Sequence, residues 1–474
     1  MNEKCFAGFC WRSTIYVLIS IWTAFAVQGG ARFDPKANAG PQVQGAATAP
    51  TSDWKPPLDQ ALRRARSRHA PILLVFHAGW CAPCLAMAQH VLNGPEWDVV
   101  QRNVVFVSLD ADSPEGTYWQ HRFGVGLPSF VVFNENGSEL GRIQGEQIRA
   151  EFYRRLNDIL SGEASMDVMR RKVVDGSRSS LKAATELLEA YRNRGDDAGA
   201  LGWLQSLPSS LRVTLQEDAV ARLEIRRLRL LKAENARDSE QCLSLGRQVL
   251  KANLGCDRST ELGALMYCTA SVSSAGKAAL LNSQKTKMSE LLAKHILVAT
   301  PDCPEPADAV LQTADLYRAL GDAKGEAAVL KRAIVFAKKG LGDNVLENRS
   351  LATDLTSYLE RAGDTKELDL LYSKMMTAYP DEMIYPYRYG RSLVARGKFE
   401  EALPILQKAA KNSYGANSLM VAILRARVLL KLGRSAEAKQ VAADALKDSG
   451  PWFPSQAKQL EQVLMRETGE NKRG

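Results

Sequence analysis

Cys81 and Cys84, in the run Trp80-Cys81-Ala82-Pro83-Cys84, are the residues of this 474-residue chain whose types and spacing point most directly to chemistry. Two thiols separated by two residues come within disulfide reach when a strand ends just before the first and a helix starts at it. The leading sulfur then meets unpaired backbone N–H groups and the positive end of the helix dipole, both of which favour a thiolate. That makes Cys81 an attacking nucleophile and Cys84, one turn deeper, a resolving thiol.

The flanking residues supply those elements. Pro71-Ile72-Leu73-Leu74-Val75-Phe76 is a short apolar run opened by a proline and reads as a buried strand. From Cys84 to Leu92 apolar residues recur three and four apart, with Asn93-Gly94-Pro95 as the stop, so this stretch reads as a helix. Upstream, Leu58, Ala61, Leu62 and Ala65 share one helical face. Downstream come a short helix near Pro95 to Val100, a strand from Val104 to Leu109, a turn at Asp110-Ala111-Asp112-Ser113-Pro114, and an amphipathic helix from Ile148 to Leu160. Asp110 and Asp112 are paired carboxylates in form, but a turn or helix cap accounts for them.

In this order the segment 53–162 resembles a thioredoxin-fold domain. It is similar to the thioredoxin-like modules of exported bacterial proteins and to the C-terminal domain of the transmembrane disulfide reductase. The resemblance rests on the W-C-A-P-C motif, on Phe123-Gly124-Val125-Gly126-Leu127-Pro128-Ser129 as the cis-proline loop, on Phe130 to Phe133, on the hairpin turn Asn134-Glu135-Asn136-Gly137, and on Gly141 to Gly145. It implies that Leu127-Pro128 faces the two sulfurs, that Trp80, Ala82 and Pro83 frame them, and that the redox-active disulfide itself serves in place of any cofactor. One departure matters. Six residues before its first cysteine, thioredoxin keeps a buried acid that helps move the resolving thiol's proton, whereas this chain has Val75. His77 is the nearest titratable residue by sequence, and a packing or edge role explains it better than proton transfer.

Length excludes a single core, and two or three domains are expected. With 45% hydrophobic and 24% charged residues the chain is globular, and its net charge is +9. Arginines at 63, 64, 66 and 68 and at 226, 227 and 229 stand at helical spacing without interleaved aromatics, which argues for solvated helix faces and against nucleic acid. Residues 1–27 read as a signal peptide, with Lys4 and Arg12 ahead of an apolar run ending in Ala24-Phe25-Ala26. The alternative is an uncleaved anchor, because no charge occurs from Ser13 to Ala31. Either reading exports the chain to a periplasmic or other extracytoplasmic space. Residues 28–52, rich in Gly, Ala, Pro, Gln and Thr, read as a flexible linker.

The eight cysteines also include Cys5 and Cys10 in the targeting segment and Cys242, Cys256, Cys268 and Cys303 beyond the redox domain. In an oxidising compartment the last four allow two disulfides in any of three pairings, and buried free thiols are the competing reading. Their spacing matches no zinc motif, and no metal site is expected.

After a connection at 163–178 strand patterns vanish and helices dominate. Gly363, Gly397 and Gly433, spaced 34 and 36 residues apart, each precede an Ala- or Leu-rich helix. This resembles the tetratricopeptide period of about 34 over residues 179–465, with weaker copies near Gly195 and Gly321, no assignable repeats in 213–300, and Pro386 off the pattern. The charged tail 466–474 reads as disordered. The expected architecture is an α/β thioredoxin fold followed by an all-α solenoid.

Together these readings give an exported thiol-disulfide oxidoreductase, a reductase by the resemblance of Ala82-Pro83 to thioredoxin's Gly-Pro. It would act on protein disulfides or thiols, be recharged by a membrane electron donor or acceptor, and have partners selected by the helical repeats. The alternative is a scaffold or chaperone-like protein with a regulatory or vestigial redox pair. A third reading, a structural disulfide, is opposed by the helix-start position. The redox readings require two sulfurs that lie together, reachable, with Leu127-Pro128 beside them.

Overall fold

The computed structural model describes residues 55–295, 306–342 and 344–467. The targeting segment, the linker, Cys5, Cys10, Cys303 and residues 468–474 lie outside them. Among the described residues no helix is long and apolar enough to cross a membrane.

The first unit runs α1 (Leu58–Arg68), β1 (Ile72–His77), α2 (Ala82–His90), α3 (Gly94–Asn103), β2 (Val105–Asp110), α4 (Pro114–Phe123), β3 (Ser129–Phe133), β4 (Glu139–Gln144) and α5 (Arg149–Leu160). The sheet order is β2-β1-β3-β4, with β1 parallel to β2, β3 antiparallel to β1 and β4 antiparallel to β3. Strand β1 is apolar along its length because helices cover both faces of the sheet. Leu74 and Phe76 pack with Leu58 and Leu62 of α1 and with Trp119 and Phe123 of α4. Leu73 and Val75 pack on the other face with Met87, Trp97 and Phe152 from α2, α3 and α5. Each such fully buried side chain contributes roughly 1.5–3 kcal/mol. Val75 thus fills the place of the family's acid with an apolar group in an apolar cluster. Helix α4 is not placed by the sequence reading, which gives a turn or helix cap here: Ser113 accepts a hydrogen bond from the Gly116 N–H and Pro114 opens the helix, so Ser113 of the turn is its cap.

The connection contains a further helix, Met166–Lys172. From Arg178 onward the described residues form a stack of helices, the all-α solenoid that the repeat resemblance implies. The pairs Arg349–Ala362 with Thr365–Ala378, Ile384–Ala395 with Phe399–Lys411 and Gly415–Lys431 with Ser435–Ser449 turn at Gly363, Gly397 and Gly433. These three have φ of 72°, 75° and 75°, a region where a Cβ costs about 1–2 kcal/mol. Pro386 falls in the first turn of Ile384–Ala395, where its missing N–H has no intrahelical partner to lose. A continuous apolar core runs from Leu230 to Val463.

Residues 213–295 are largely helical too. The helices Ser239–Val249 and Asp257–Cys268 are tied by a Cys242–Cys268 disulfide, S–S 2.01 Å, which selects one of the open pairings, and Cys256 is also disulfide-bonded. Arg227, in one of the arginine clusters, is buried in ion pairs of 2.8 Å with Glu224 and Glu261. The two units are joined by more than the connection. Glu139 of β4 is buried between Arg142, 2.7 Å away, and Arg194 at the first solenoid turn.

Candidate active site

Cys81 and Cys84 form a disulfide with S–S 2.07 Å and Cα–Cα 5.2 Å. Cys81 caps α2 in extended conformation, and the Cys84 N–H donates to its Sγ at 3.2 Å. Ala82 and Pro83 form the first helical turn, where the proline ring costs no hydrogen bond. The Leu127–Pro128 peptide is cis, and Leu127 packs with Trp80, Ala78, Ala111 and both cysteines in one small cluster. The Pro128 carbonyl accepts from the Gly145 N–H at 2.9 Å, which pins the loop to the end of β4. His77 stands apart from this group: its Nε2 is 2.7 Å from Ser108 Oγ on β2.

One expectation is overturned. The sulfurs lie together but are not open to solvent, Cys81 being 4% and Cys84 7% exposed. The physical reason is that the solenoid lies across the motif. Helix Arg349–Ala362 packs on α2, and Gln89 donates to the Glu347 carbonyl at 2.6 Å. Trp80 leans on the solenoid's apolar core, and Arg388 Nη2 reaches the Trp80 carbonyl at 3.4 Å. Opposite Gly79, Glu382 Oε2 comes within 3.6 Å of where a Cβ would stand.

The tightest contact involves the loop after β2. Trp80 Nε1 donates to Asp112 Oδ2 at 2.9 Å, and Asn417 Nδ2 donates to the same oxygen at 2.7 Å. The Tyr414 hydroxyl donates to Asp110, and the Ala416 N–H lies 3.4 Å from the Asp112 carbonyl. Asp112 is therefore an interdomain anchor as well as a turn residue. Burial pushes its carboxyl up to about 6, with Asp110 adding to the effect and the bonds from Trp80 and Asn417 opposing it. A second carboxylate cluster spans the interface at the end of β4. Loss of hydration raises Glu146 to about 9, reinforced by Asp354 and Asp308 of the solenoid. It raises Asp354 to about 7 against the pull of Arg388. Among the described residues no group of three or more His, Cys, Asp or Glu has a metal-holding arrangement.

The sequence singled out the cysteines, Trp80 and the cis-proline loop. It did not reveal Arg388, Asn417, Tyr414 or the anchoring role of Asp112, because each pairing joins residues some three hundred positions apart, 308 for Arg388 with Trp80.

Comparison with known proteins agrees with the architecture. Residues 53–135 match a thioredoxin-like family model and residues 387–451 a tetratricopeptide repeat model. The thioredoxin-like protein HCF164 of Arabidopsis thaliana is 27% identical over 115 residues, covering 24% of this chain and 42% of that protein. The thiol:disulfide interchange protein DsbD of Neisseria meningitidis serogroup B is 32% identical over 109 residues, 22% of this chain and 18% of that protein. The matched stretch therefore spans less than half of either relative. The TPR domain of P58(IPK) aligns over 68% of this chain and 94% of its own at 14% identity, with a TM-score of 0.18, too weak a likeness to say how the helices stack.

Proposed function

We propose that this protein is an exported thiol-disulfide oxidoreductase, a reductase by preference, working through Cys81 and Cys84. The observation that carries this reading is the joined pair at the start of α2 beside the cis Leu127–Pro128 peptide. In the reduced protein the Cys81 thiolate attacks one sulfur of a substrate disulfide. That S–S bond breaks, the displaced sulfur leaves as a thiolate and takes up a proton, and a mixed disulfide forms. Cys84, having lost its proton, attacks Cys81 Sγ and releases the second substrate sulfur. Two electrons pass to the substrate and Cys81–Cys84 is left oxidised. A membrane electron donor must then reduce it again, and the Cys242–Cys268 disulfide in the solenoid suits an oxidising compartment.

Because the solenoid covers the dithiol, a protein substrate meets Cys81 only when the two units part, and the helical repeats would choose which partner is admitted. The same cover favours a second reading, in which the solenoid is a binding scaffold and the redox pair regulates it. Reduction of a model protein disulfide with dithiothreitol as donor decides between them. The full exported chain should turn over well above background, and Cys81→Ser should abolish this. Turnover at background would leave the scaffold reading.

A further inference from the structure

We propose that Arg388, contributed by the solenoid, is a positioning residue of the redox site: its guanidinium holds the carbonyl just before Cys81 and balances the negative charge that appears on that sulfur when the disulfide is reduced. This rests on the oxidoreductase reading and adds to it a way for the helical repeats to tune the couple.

Three observations carry the inference. The Arg388 side chain crosses from helix Ile384–Ala395 to donate to the Trp80 carbonyl at 3.4 Å, which places it beside the peptide that joins Trp80 to Cys81. It is 9% exposed, and although Asp354 and Glu360 act on it through space, no carboxylate among the described residues lies within direct ion-pair distance of it. A buried guanidinium without a directly paired anion is costly to keep, so a chain that retains one gains from a use for its charge. The oxidised pair supplies no negative charge, whereas the reduced pair supplies a thiolate next to the carbonyl that Arg388 grips.

The other charged groups near the motif are negative or already engaged. Asp112 and Asp110 face Trp80 and Tyr414 from the loop after β2, and Glu382, paired with Arg349 at 2.9 Å, faces Gly79. Asp354 and Glu360 act on Arg388, as does Arg391, itself paired with Glu360 at 3.4 Å, and Glu146 lies beyond Asp354. These carboxylates disfavour a second negative charge on Cys81, and Arg388 offsets them. Stabilising the thiolate stabilises the reduced form, so the guanidinium draws the couple toward the oxidising side.

The test compares Arg388→Gln, which keeps a donor for the carbonyl but no charge, with Arg388→Lys, which keeps the charge. Both are equilibrated in full-length protein with reduced and oxidised glutathione, and the rate of Cys81 alkylation is followed against pH. With Gln the equilibrium should move about tenfold toward the disulfide, equivalent to about 30 mV, and the alkylation midpoint should rise by about one unit. With Lys both should stay within threefold of the parent. No shift with Gln, or an equal shift with Lys, overturns the proposal. Should Arg388→Gln lose its helical circular dichroism, Arg388→Met, uncharged and of similar length, takes its place: the same rise in the Cys81 midpoint supports the proposal, and an unmoved midpoint overturns it. Neither measurement needs turnover, so a protein inactive toward disulfides would sink the enzyme reading while leaving the role of Arg388 legible.

Discussion

Replacing Gly415 with alanine should open the dithiol. Gly415 starts helix Gly415–Lys431 with φ of 54°, and a Cβ there would lie 1.8 Å from the Asp112 carbonyl oxygen and 2.9 Å from its carbon. Both atoms are backbone and cannot swing aside. Ordinary contact begins near 3.4 Å, so the two chains must part by roughly 1.6 Å. At that separation the 2.7 Å bond from Asn417 to Asp112 is lost, and with it the approach of the Ala416 N–H. Left-handed strain of about 1–2 kcal/mol and a charged hydrogen bond of about 1.5–3 kcal/mol together weaken the interdomain contact by about 3–5 kcal/mol. If access to Cys81 is limited by parting of the units, each 1.4 kcal/mol is worth about tenfold in the population of the open form. Modification of reduced Gly415→Ala by a maleimide, above the thiol midpoint of both proteins, should therefore run about a hundredfold to a few thousandfold faster than in the parent. A rate within threefold of the parent, with an unmoved urea transition, would refute the reasoning.

Three further outcomes follow from the same contacts. Asp112, raised to about 6 from an ordinary 3.8, binds its proton more tightly folded than unfolded, so stability should fall as pH rises from about 4 to about 6, by at most about 3 kcal/mol. Asp112→Asn should flatten that stretch of a urea-midpoint profile, and parallel profiles would count against it. Burial alone would raise Glu139, but Arg142 and Arg194 hold it down to about 2, so its share of stability is complete above about 4.5 and lost as pH falls toward 2. Arg194→Ala should cost about 1–3 kcal/mol and move acid unfolding to higher pH, whereas an unchanged acid midpoint would mean Arg142 suffices. Cys242→Ala, opening a link across 26 residues, should lower stability by about 2–4 kcal/mol in thermal or urea unfolding, and no change would mean that part of the solenoid is held by packing alone.

What could be read from the sequence was local. Cys81 and Cys84 are three residues apart, so their helix-start geometry follows from the immediate chain. The turn glycines at 363, 397 and 433 announce themselves by spacing, because only glycine sits cheaply at their φ. Helix α4 had its signal in Ser113-Pro114-Glu115, but the same residues also spell a turn. Repeats could not be placed in 213–300, whose described part relies on a disulfide and the buried Arg227 cluster rather than on the small-residue pattern. The cover over the dithiol was out of reach, since Asn417 meets Asp112 across 305 positions and nothing in either neighbourhood marks the other.

The near-complete enclosure of the sulfurs bears on how the dithiol would last in the oxidising surroundings that the proposed export implies. An exposed dithiol there drains into dissolved oxygen and stray small disulfides. Under a roof of helices, if access requires the units to part, every reagent, large or small, must wait for the same opening. Leakage is then slowed for all comers alike, and a partner that itself pries the halves apart gains a kinetic advantage no diffusing oxidant shares.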